Sequence, residues 1–515
     1  MQKECKLRSD TASILTGIIN MKFADVPELE PLLVDKPPAI QFTGVQCDSR
    51  RVRPGDIFVA VTGGRDDGAK YGTTALAKGA VAIVSEVPLR DCGKATILVK
   101  DARQAQAILA CAINGWPGRK MEVFGITGTN GKTTTAWLLH EMLSEYGQQV
   151  GLITTVQVSY LDRVIPAVRT TPDACELQAQ LAAMASVGCH SVVMEVSSHA
   201  LHQHRIGGLR FAGAAFTNLS QDHLDYHITM ADYWEAKKRL FAMLAQDHPG
   251  APAVCFIDAA YGSEMAAYIA TLPLKRITCG FSDNADIRAL QIALNPDGTT
   301  FTFAGEAPHG RGPFSIPIKS HLAGRYNIAN MLCAAALALE AGVPPETIAG
   351  VLQKVYPQWG RLERLPVKAP FRIFVDYAHT DDALTQVLSA IREMGSGRIL
   401  VVFGCGGDRD RKKRPLMGAA CAKGADVLVV TSDNPRSEDP DAIIKEILVG
   451  IPEGTDVHVE LDRRSAIRLA LSLARESDIV LVAGKGHEAF QEMAGRVFPF
   501  DDRQVAREEF NSISR

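Results

Sequence analysis

The sequence has no stretch able to cross a bilayer: no window approaches the roughly eighteen uninterrupted apolar residues a span requires. The most lipid-like run, Met331 to Leu339, is closed by Glu340 and reads as a buried helix. Neither charge is in surplus. Lysine and arginine number 55 against 58 acidic residues, a formal net charge of -3, so no overall field draws the chain to nucleic acid or an anionic membrane. Any anion site must be built locally. The eleven cysteines include no Cys-x-x-Cys pair and no zinc-ligand spacing, the closest two in sequence being Cys175 and Cys189. Such an odd, scattered set reads as the reduced thiols of a cytoplasmic protein. The first twenty residues carry Lys3, Glu4, Lys6, Arg8 and Asp10 without an apolar core, so a secretory signal is not expected. Internal repeats and low-complexity tracts are also missing.

What is present is 515 residues of ordinary globular composition, 46% hydrophobic and 22% charged, which excludes a disordered, collagenous or coiled-coil chain. At about 150 residues per domain the length suits roughly three to four domains. Short β-branched runs ending in glycine or polar loops, each followed by an amphipathic helical pattern, are the grammar of parallel α/β sheets. Three blocks follow. Residues 1–118 end at the turn Trp116-Pro117-Gly118, residues 119–358 open with the strand from Met121 to Phe124, and residues 359–515 begin at Trp359-Gly360-Arg361. The middle block carries strands Ser191 to Val196 and Ala212 to Thr217, then a segment near 285 to 320 that alternates like β-hairpins. The third has strands Arg372 to Val375, Ile399 to Phe403, Val427 to Thr431 and Ile479 to Val482, with polar residues just past each carboxyl end. In open α/β sheets that edge binds ligands. The expected fold is α/β in three domains, with a central P-loop-type parallel-sheet ATPase domain and a Rossmann-like C-terminal domain.

The most specific short signal is Gly125-Ile126-Thr127-Gly128-Thr129-Asn130-Gly131-Lys132-Thr133-Thr134, between a buried strand and a helix whose apolar face is Trp137, Leu138, Leu139, Met142, Leu143 and Tyr146. A strand, a glycine turn and a helix amino terminus present backbone N–H groups to phosphate, and Lys132 adds a point charge. Thr133 is placed to hold magnesium. The strict G-x-x-x-x-G-K-[ST] pattern fails, because five residues separate Gly125 from Gly131, so Gly128 is the working glycine. The loop alone suits a GTPase, kinase, motor or ligase.

Val192-Val193-Met194-Glu195 ends a strand with an acid where phosphate-loop proteins hold a magnesium-associated carboxylate. Five of thirteen histidines, His199, His202, His204, His223 and His227, crowd one region. That density suits cation or phosphate chemistry as well as structural hydrogen bonds. No thiolate is spaced to make a zinc site with them, and abundant carboxylates favour a hard cation such as magnesium.

With Glu195-Val196-Ser197-Ser198-His199, Thr217-Asn218-Leu219-Ser220, Asp222-His223-Leu224-Asp225, Gly324-Arg325-Tyr326-Asn327-Ile328-Ala329-Asn330, Gly360-Arg361, Asp376-Tyr377-Ala378-His379 and Gly484-Lys485-Gly486-His487-Glu488 added to the phosphate loop, the sequence resembles the Mur ligases, ATP-dependent amide-forming enzymes of peptidoglycan precursor synthesis. Gly404-Cys405-Gly406-Gly407-Asp408-Arg409-Asp410 and Asp433-Asn434-Pro435-Arg436 are similar to the branch that adds the third peptide residue in its meso-diaminopimelate form. The resemblance implies a cytoplasmic enzyme, expected as a monomer, using ATP and Mg2+ to join meso-diaminopimelate to UDP-N-acetylmuramoyl-L-alanyl-D-glutamate through an acyl phosphate. The lysine-adding relative and folylpolyglutamate synthetase are the alternatives within the superfamily, and a nucleotide-binding regulatory protein without turnover is the alternative outside it.

By resemblance, Lys132, Glu195, His223 and Lys237 are catalytic. Gly128, Thr129, Asn130, Gly131, Lys132, Thr133 and Thr134 hold ATP with Asn327, Asn330, Arg361 and Asp376. Thr133, Glu195, His223 and Lys237 make the metal site, Lys237 as the carbamylated N6-carboxylysine, whose precursor amine must be neutral to react with carbon dioxide. Cys47, Ser49, Gly64, Arg65, Asp66, Thr170, Thr171, Ser197, Gln203 and Arg205 contact the uridine-nucleotide substrate. Two departures stand out: the family often has an amide- or histidine-bearing loop where this chain has Gly64-Arg65-Asp66, and Asn-Thr-Thr where it has Arg169-Thr170-Thr171. Arg409, Asp433, Asn434, Pro435, Arg436, Gly484 and Glu488 form the diaminopimelate pocket. Diaminopimelate differs from lysine by a second carboxylate, and an arginine offers that acid a planar fork of two charge-assisted hydrogen bonds. Arg436 is the natural clamp, and Glu488 faces an ammonium.

Overall fold

A computed structural model describes residues 20–62, 67–295, 298–357, 359–395 and 397–513. Two compact units partition the chain. One takes the described residues up to Glu122 together with Thr171–His190 and His199–Arg210; the other holds Val123–Thr170, Ser191–Ser198 and the described residues from Phe211 onward.

The first unit is built on a four-stranded parallel sheet, β1 (Gly44–Gln46), β2 (Asp56–Val59), β3 (Ala82–Ser85) and β4 (Thr96–Leu98), paired in that order. Helix α1 (Ala102–Ile113) is capped by the Asp101 carboxylate, which accepts from the Gln104 N–H at 2.8 Å. Its buried stripe, Ala102, Ala105, Leu109 and Ala112, joins Ile57, Val59, Val84 and Ile97 in one core. Helix Ala174–Ser186 packs against α1 in the same unit.

In the second unit an eleven-stranded sheet comprises β5 (Glu122–Thr127), β6 (Val150–Ile153), β7 (Gln157–Tyr160), β8 (Arg163–Pro166), β9 (Ser191–Glu195), β10 (Phe211–Phe216), β11 (Pro252–Phe256), β12 (Lys275–Gly280), β13 (Ile287–Asn295), β14 (Gly298–Ala307) and β15 (Gly312–Ser320), ordered β8-β7-β6-β9-β5-β10-β11-β12-β13-β14-β15. The segment expected as hairpins is β13 to β15, an antiparallel meander continuing one edge of the parallel core. Every residue of β5 after Glu122 is buried, as strands covered on both faces require. Helix α2 (Lys132–Glu145) packs Leu138, Leu139, Met142 and Leu143 into that core, and Gly147 at φ 92 follows its end. Tyr146, read as part of the apolar face, is exposed because the helix stops one residue earlier.

Helix α3 (Met230–Asp247) is capped by Thr229, and α4 (Arg325–Glu340) is buried along nearly its whole length. The Met331 to Leu339 run is thus an inner helix of this core, and among the described residues no helix is long and apolar enough to cross a membrane.

A six-stranded sheet lies in the same unit: β16 (Glu363–Arg364), β17 (Arg372–Asp376), β18 (Ile399–Phe403), β19 (Val427–Val430), β20 (Val457–Val459) and β21 (Ile479–Ala483), ordered β16-β17-β21-β18-β19-β20. All its pairings but β16 with β17 are parallel. Helices α5 (Asp381–Met394) and α6 (Lys413–Gly424) cover one face, and the hairpin β22 (Phe490–Met493) and β23 (Arg496–Pro499) follows β21. The four strands expected in this block are all present, within one residue at their ends.

Candidate active site

The turn between β5 and α2 departs from ordinary backbone at Gly128 (φ 151) and Gly131 (φ 85). A Cβ on Gly128 would stand 1.9 Å from Thr217 Oγ1, and one on Gly131 2.2 Å from Asn330 Oδ1. The chain therefore needs glycine at both places for space as well as for conformation. The loop is laced to the segment after β10: Asn218 Oδ1 accepts from the Asn130 N–H at 2.9 Å, and Thr217 Oγ1 donates to the Asn130 carbonyl at 2.6 Å. Asp382 on α5 accepts from Asn130 Nδ2 at 2.8 Å and from Ser220 Oγ at 2.7 Å.

Two lysines converge on this turn. Lys132 Nζ donates to the carbonyls of Gly128 and Thr129 at 2.9 and 2.8 Å, and Lys237 Nζ donates to the Gly128 carbonyl at 2.7 Å. The phase of α3 explains the second. Tyr233, Ala236, Lys237, Leu240, Phe241 and Leu244 form its buried stripe, whereas Lys238 turns aside to pair with Glu235 at 2.7 Å. Burial, with the Lys132 charge as a second cause, holds the Lys237 ammonium well below the usual lysine range. Enclosure lowers Lys132 too, opposed by Glu195 and Asp222.

Glu195 ends β9 fully buried, its carboxylate accepting from the Thr155 N–H at 2.8 Å and the Thr155 hydroxyl at 3.1 Å. Asp222 is buried beside it in the cleft. Burial alone would raise the Asp222 carboxyl, but His223, Lys413 and His379 together hold it well below the carboxylate range. Lys413, at the start of α6, pairs with Asp222 directly, and His223 Nε2 lies 3.5 Å from it. The histidine cluster divides: His223 lines the cleft, while His227 is buried with its Nε2 3.0 Å from Ser198 Oγ, and His204 lies 3.8 Å from Asp101.

Among the described residues no three His, Cys, Asp or Glu side chains are gathered into a metal cage. Thr133, Glu195 and His223 instead line one cleft, with Lys237 on the floor of the phosphate loop. That sparse oxygen-rich set fits magnesium, which binds through one or two carboxylates with substrate phosphates and water.

Asn327, Asn330, Arg361 and Asp376 line the same cleft as residues 129–134. Asn330 Oδ1 accepts from Thr135 Oγ1 at 3.3 Å, bracing α2. Arg361 Nη2 donates to Thr133 Oγ1 at 3.2 Å and its guanidinium sits 4.5 Å from the Tyr377 ring centroid. Asp376 accepts from the N–H groups of Leu362 and Ala378, at 2.5 and 2.7 Å, so it shapes the turn that carries Arg361; burial raises its carboxyl. Among the described residues, Arg361 Nε and the Tyr326 hydroxyl are buried without a hydrogen-bond partner. Orphaned buried donors beside a glycine cradle and a lysine are what a nucleotide triphosphate satisfies. Tyr326, Tyr377, His379 and Gln386, unassigned from sequence, complete the lining.

Beyond β18, β19 and β21, the loops carrying Arg409, Asp433 to Arg436 and Gly484 to Glu488 meet at the carboxyl edge of the second sheet. Asn434 is buried, donating to Glu488 at 2.9 Å and accepting from Lys485 Nζ at 2.8 Å. Lys485 is also 3.0 Å from Asp433. Burial would raise Asp433, yet Lys485 and Arg463 outweigh it and lower it, while burial and Asp433 raise Glu488. Arg436 Nη1 donates to the Gly407 carbonyl at 2.6 Å and its Nε lies 3.3 Å from Glu492. Below, buried Arg414 grips Glu438 bidentately at 2.9 and 2.8 Å and Glu446 at 2.8 Å. Lys485 sat in a quoted motif without a role; Lys413, Arg414 and Glu492 gave no sequence signal.

Of the uridine-nucleotide set, Cys47, Ser49, Thr171, Gln203 and Arg205 belong to the first unit, Thr170 and Ser197 to the second. Arg205 donates to the Thr171 carbonyl at 2.9 Å and to Gln203 Oε1 at 3.0 and 2.7 Å, joining three of the expected residues. The Cys47 thiol is held below its ordinary range, first by the neighbouring Cys175 thiol. Thr170 Oγ1 lies 3.1 Å from Thr155 Oγ1 and, with the Thr155 proton on Glu195, is the donor of that pair. Gly64, Arg65 and Asp66 lie outside the described residues.

A glycine–lysine turn on one parallel sheet, bound through Asp382 and Lys413 to the ligand edge of another, defines a phosphate-loop protein of the group-transfer kind. Residues 126–338 match the Mur ligase middle domain, 360–486 the Mur ligase glutamate ligase domain and 41–112 the Mur ligase family catalytic domain. The chain belongs to the Mur ligase family. It is 43% identical over 468 residues to the UDP-N-acetylmuramoyl-L-alanyl-D-glutamate--2,6-diaminopimelate ligase of Geobacillus thermodenitrificans (strain NG80-2), covering 90% of this chain and 94% of the relative. With the protein of that name from Chromobacterium violaceum the identity is 41%, covering 94% and 97%. A solved UDP-N-acetylmuramoyl-L-alanyl-D-glutamate--2,6-diaminopimelate ligase structure is 34% identical, with a TM-score of 0.67 covering 96% of this chain and all of the other. The MurF structure from Acinetobacter baumannii shares the fold alone, at 19% identity and a TM-score of 0.63 over 91% and 96% of the two chains. The three-domain α/β expectation is met.

Proposed function

We propose that this chain is an ATP-dependent amide ligase that adds meso-diaminopimelate to UDP-N-acetylmuramoyl-L-alanyl-D-glutamate in peptidoglycan precursor synthesis. The observation that carries this reading is that Arg436 and Glu488 are brought to one carboxyl edge of the second sheet, linked through Asn434 and Glu492, while Tyr377, which lines the phosphate cleft, donates its hydroxyl to Glu488 at 3.5 Å. Diaminopimelate pairs acid with ammonium at its distal end, and that charge pattern suits both groups. Likeness to the relatives named above supports it.

The dipeptide's terminal carboxylate takes the γ-phosphoryl of ATP, the amine attacks the resulting acyl phosphate, and phosphate leaves as the amide forms. Thr133, Glu195, His223 and carbamylated Lys237 would hold magnesium, which would supply positive charge to the phosphate oxygens. Backbone N–H groups of residues 131–134 and the Lys132 ammonium face the charge that builds during transfer. Arg361 and Asp376, from the second sheet, close the nucleotide side. Cys47, Ser49, Gly64 to Asp66, Thr170, Thr171, Ser197, Gln203 and Arg205 hold the uridine-nucleotide substrate. The proposed domains are 1–118 for that substrate, 119–358 for ATP and 359–515 for the amino acid, in a cytoplasmic monomer.

The test is an amino-acid panel. Purified protein given the UDP-dipeptide, magnesium and ATP should release phosphate with meso-diaminopimelate and poorly with L-lysine. Equal or better use of lysine would overturn the acceptor assignment, and no turnover with either would overturn the ligase reading.

A further inference from the structure

We propose that Glu492, on the β22–β23 hairpin, is a positioning residue that aims the Arg436 fork at the acceptor's distal carboxylate and so sharpens selection for a diacid; this rests on the function proposed above.

The hairpin and the Arg436 loop are zipped together through main chain. The Arg436 N–H donates to the Glu492 carbonyl at 3.0 Å, and the Ala494 N–H donates to the Arg436 carbonyl at 2.7 Å. Arg436 sits at φ 53, in the left-handed region that a branchless residue prefers, and these two bonds hold it there. The same hairpin then supplies the side-chain contact: Glu492 Oε2 lies 3.3 Å from Arg436 Nε. Opposite, Nη1 donates to the Gly407 carbonyl at 2.6 Å.

A guanidinium has five N–H donors in one plane. With Nε beside Glu492 and Nη1 bonded to Gly407, Nη2 and the remaining Nη1 proton are the donors left for a ligand. A bidentate carboxylate needs two donors in one plane, so fixing the rotation of the guanidinium prepares the site before the ligand arrives. Glu492 is itself held, its N–H donating to Asn434 Oδ1 at 3.0 Å, while Asn434 Nδ2 donates to Glu488 at 2.9 Å. One buried amide therefore sets the spacing between the carboxylate that meets an ammonium and the one that steers the guanidinium. L-lysine has no distal acid, so its use should be indifferent to the aim of Arg436.

The pair is partly open, with side-chain exposures of 24% and 35%, so the effect should be moderate. In the full-length chain, with phosphate release as the readout, Glu492→Ala should raise KM for meso-diaminopimelate about two- to fivefold, as an exposed ion pair allows. It should leave KM for ATP within about twofold and lower the diaminopimelate-to-lysine ratio of kcat/KM by the same factor. Glu492→Gln, whose amide oxygen can stand in the same place beside Nε but carries no charge, should recover part of the loss. Glu492→Asp keeps the charge but shortens its reach and should behave like alanine, which keeps the test available should the alanine variant fold poorly.

A Glu492→Ala or Glu492→Asp enzyme with unchanged or lower KM for diaminopimelate would mark Glu492 as a bystander or a competing anion and overturn the inference alone. So would an equal change with both amino acids. A wild-type enzyme without preference for diaminopimelate overturns the inference and the acceptor assignment together.

Discussion

Lys132 and Lys237 place their side-chain nitrogens on one oxygen: the Gly128 carbonyl accepts from the first at 2.9 Å and from the second at 2.7 Å. Two ammonium groups cannot share that acceptor without mutual repulsion, and of the two only Lys237 belongs to the fully buried set. Its proton is the one the fold disfavours.

A neutral Lys237 is a nucleophile toward carbon dioxide. Lys237→Ala should lower kcat by about a hundredfold or more, the range for losing one group that stabilises developing charge. Activity in buffer stripped of carbon dioxide should fall and return with bicarbonate, and labelled bicarbonate should give a carbamate carbon signal absent from the variant. A signal retained in Lys237→Ala would place the modification elsewhere.

Arg436→Ala should raise KM for meso-diaminopimelate by roughly thirtyfold or more, about 2 kcal/mol or above, as for removing one partner of a hydrogen-bonded charge pair. KM for ATP should stay within about twofold, because Arg436 is not among the residues lining the nucleotide cleft. Parallel losses in both would show that the pocket is misplaced.

Gly131→Ala meets two obstacles, a φ of 85 and a Cβ 2.2 Å from Asn330 Oδ1. It should cost about 1–3 kcal/mol of stability and raise KM for ATP. Combining it with Asn330→Ala removes the collision but not the backbone strain, so thermal unfolding of the double variant should regain only part of the loss.

Glu438 is held down to about 2 from an ordinary 4.5, chiefly by its hydrogen bonds to Arg414. Since the folded value is depressed, the stability it contributes is complete above pH 4.5 and disappears as pH falls toward about 2. Denaturant midpoints should show Glu438→Gln less stable than wild type near neutrality, with the gap narrowing through that window. A constant gap would mean the charge of Glu438 is not what holds this loop.

Strand positions and the phosphate turn were legible because both rest on local rules: buried β-branched runs ending in glycine, and a lysine–threonine pair opening an amphipathic helix. The departure from the usual glycine spacing even identified Gly128, whose crowding against Thr217 is now visible. The choice of Lys237 over Lys238 needed the phase of α3, which its stripe of Tyr233, Leu240 and Leu244 could have supplied. The five-histidine cluster holds both roles its density allowed: His227 completes a buried hydrogen bond while His223 faces the cleft. Lys413, Arg414 and Glu492 stayed hidden because each acts through a partner far along the chain, Asp222, Glu438 and Arg436, and a pairing of that kind leaves no periodicity to read.

Asp222 hangs from the segment after β10 and Lys413 from the start of α6, so their contact works as a tie rod between the two sheets of this unit. Pulling the sheets apart would strand a submerged anion next to His223 unless solvent floods in first. Wetting, rather than hinge stiffness, would then govern how readily this unit gapes, and added salt should do little to a tie kept out of solvent.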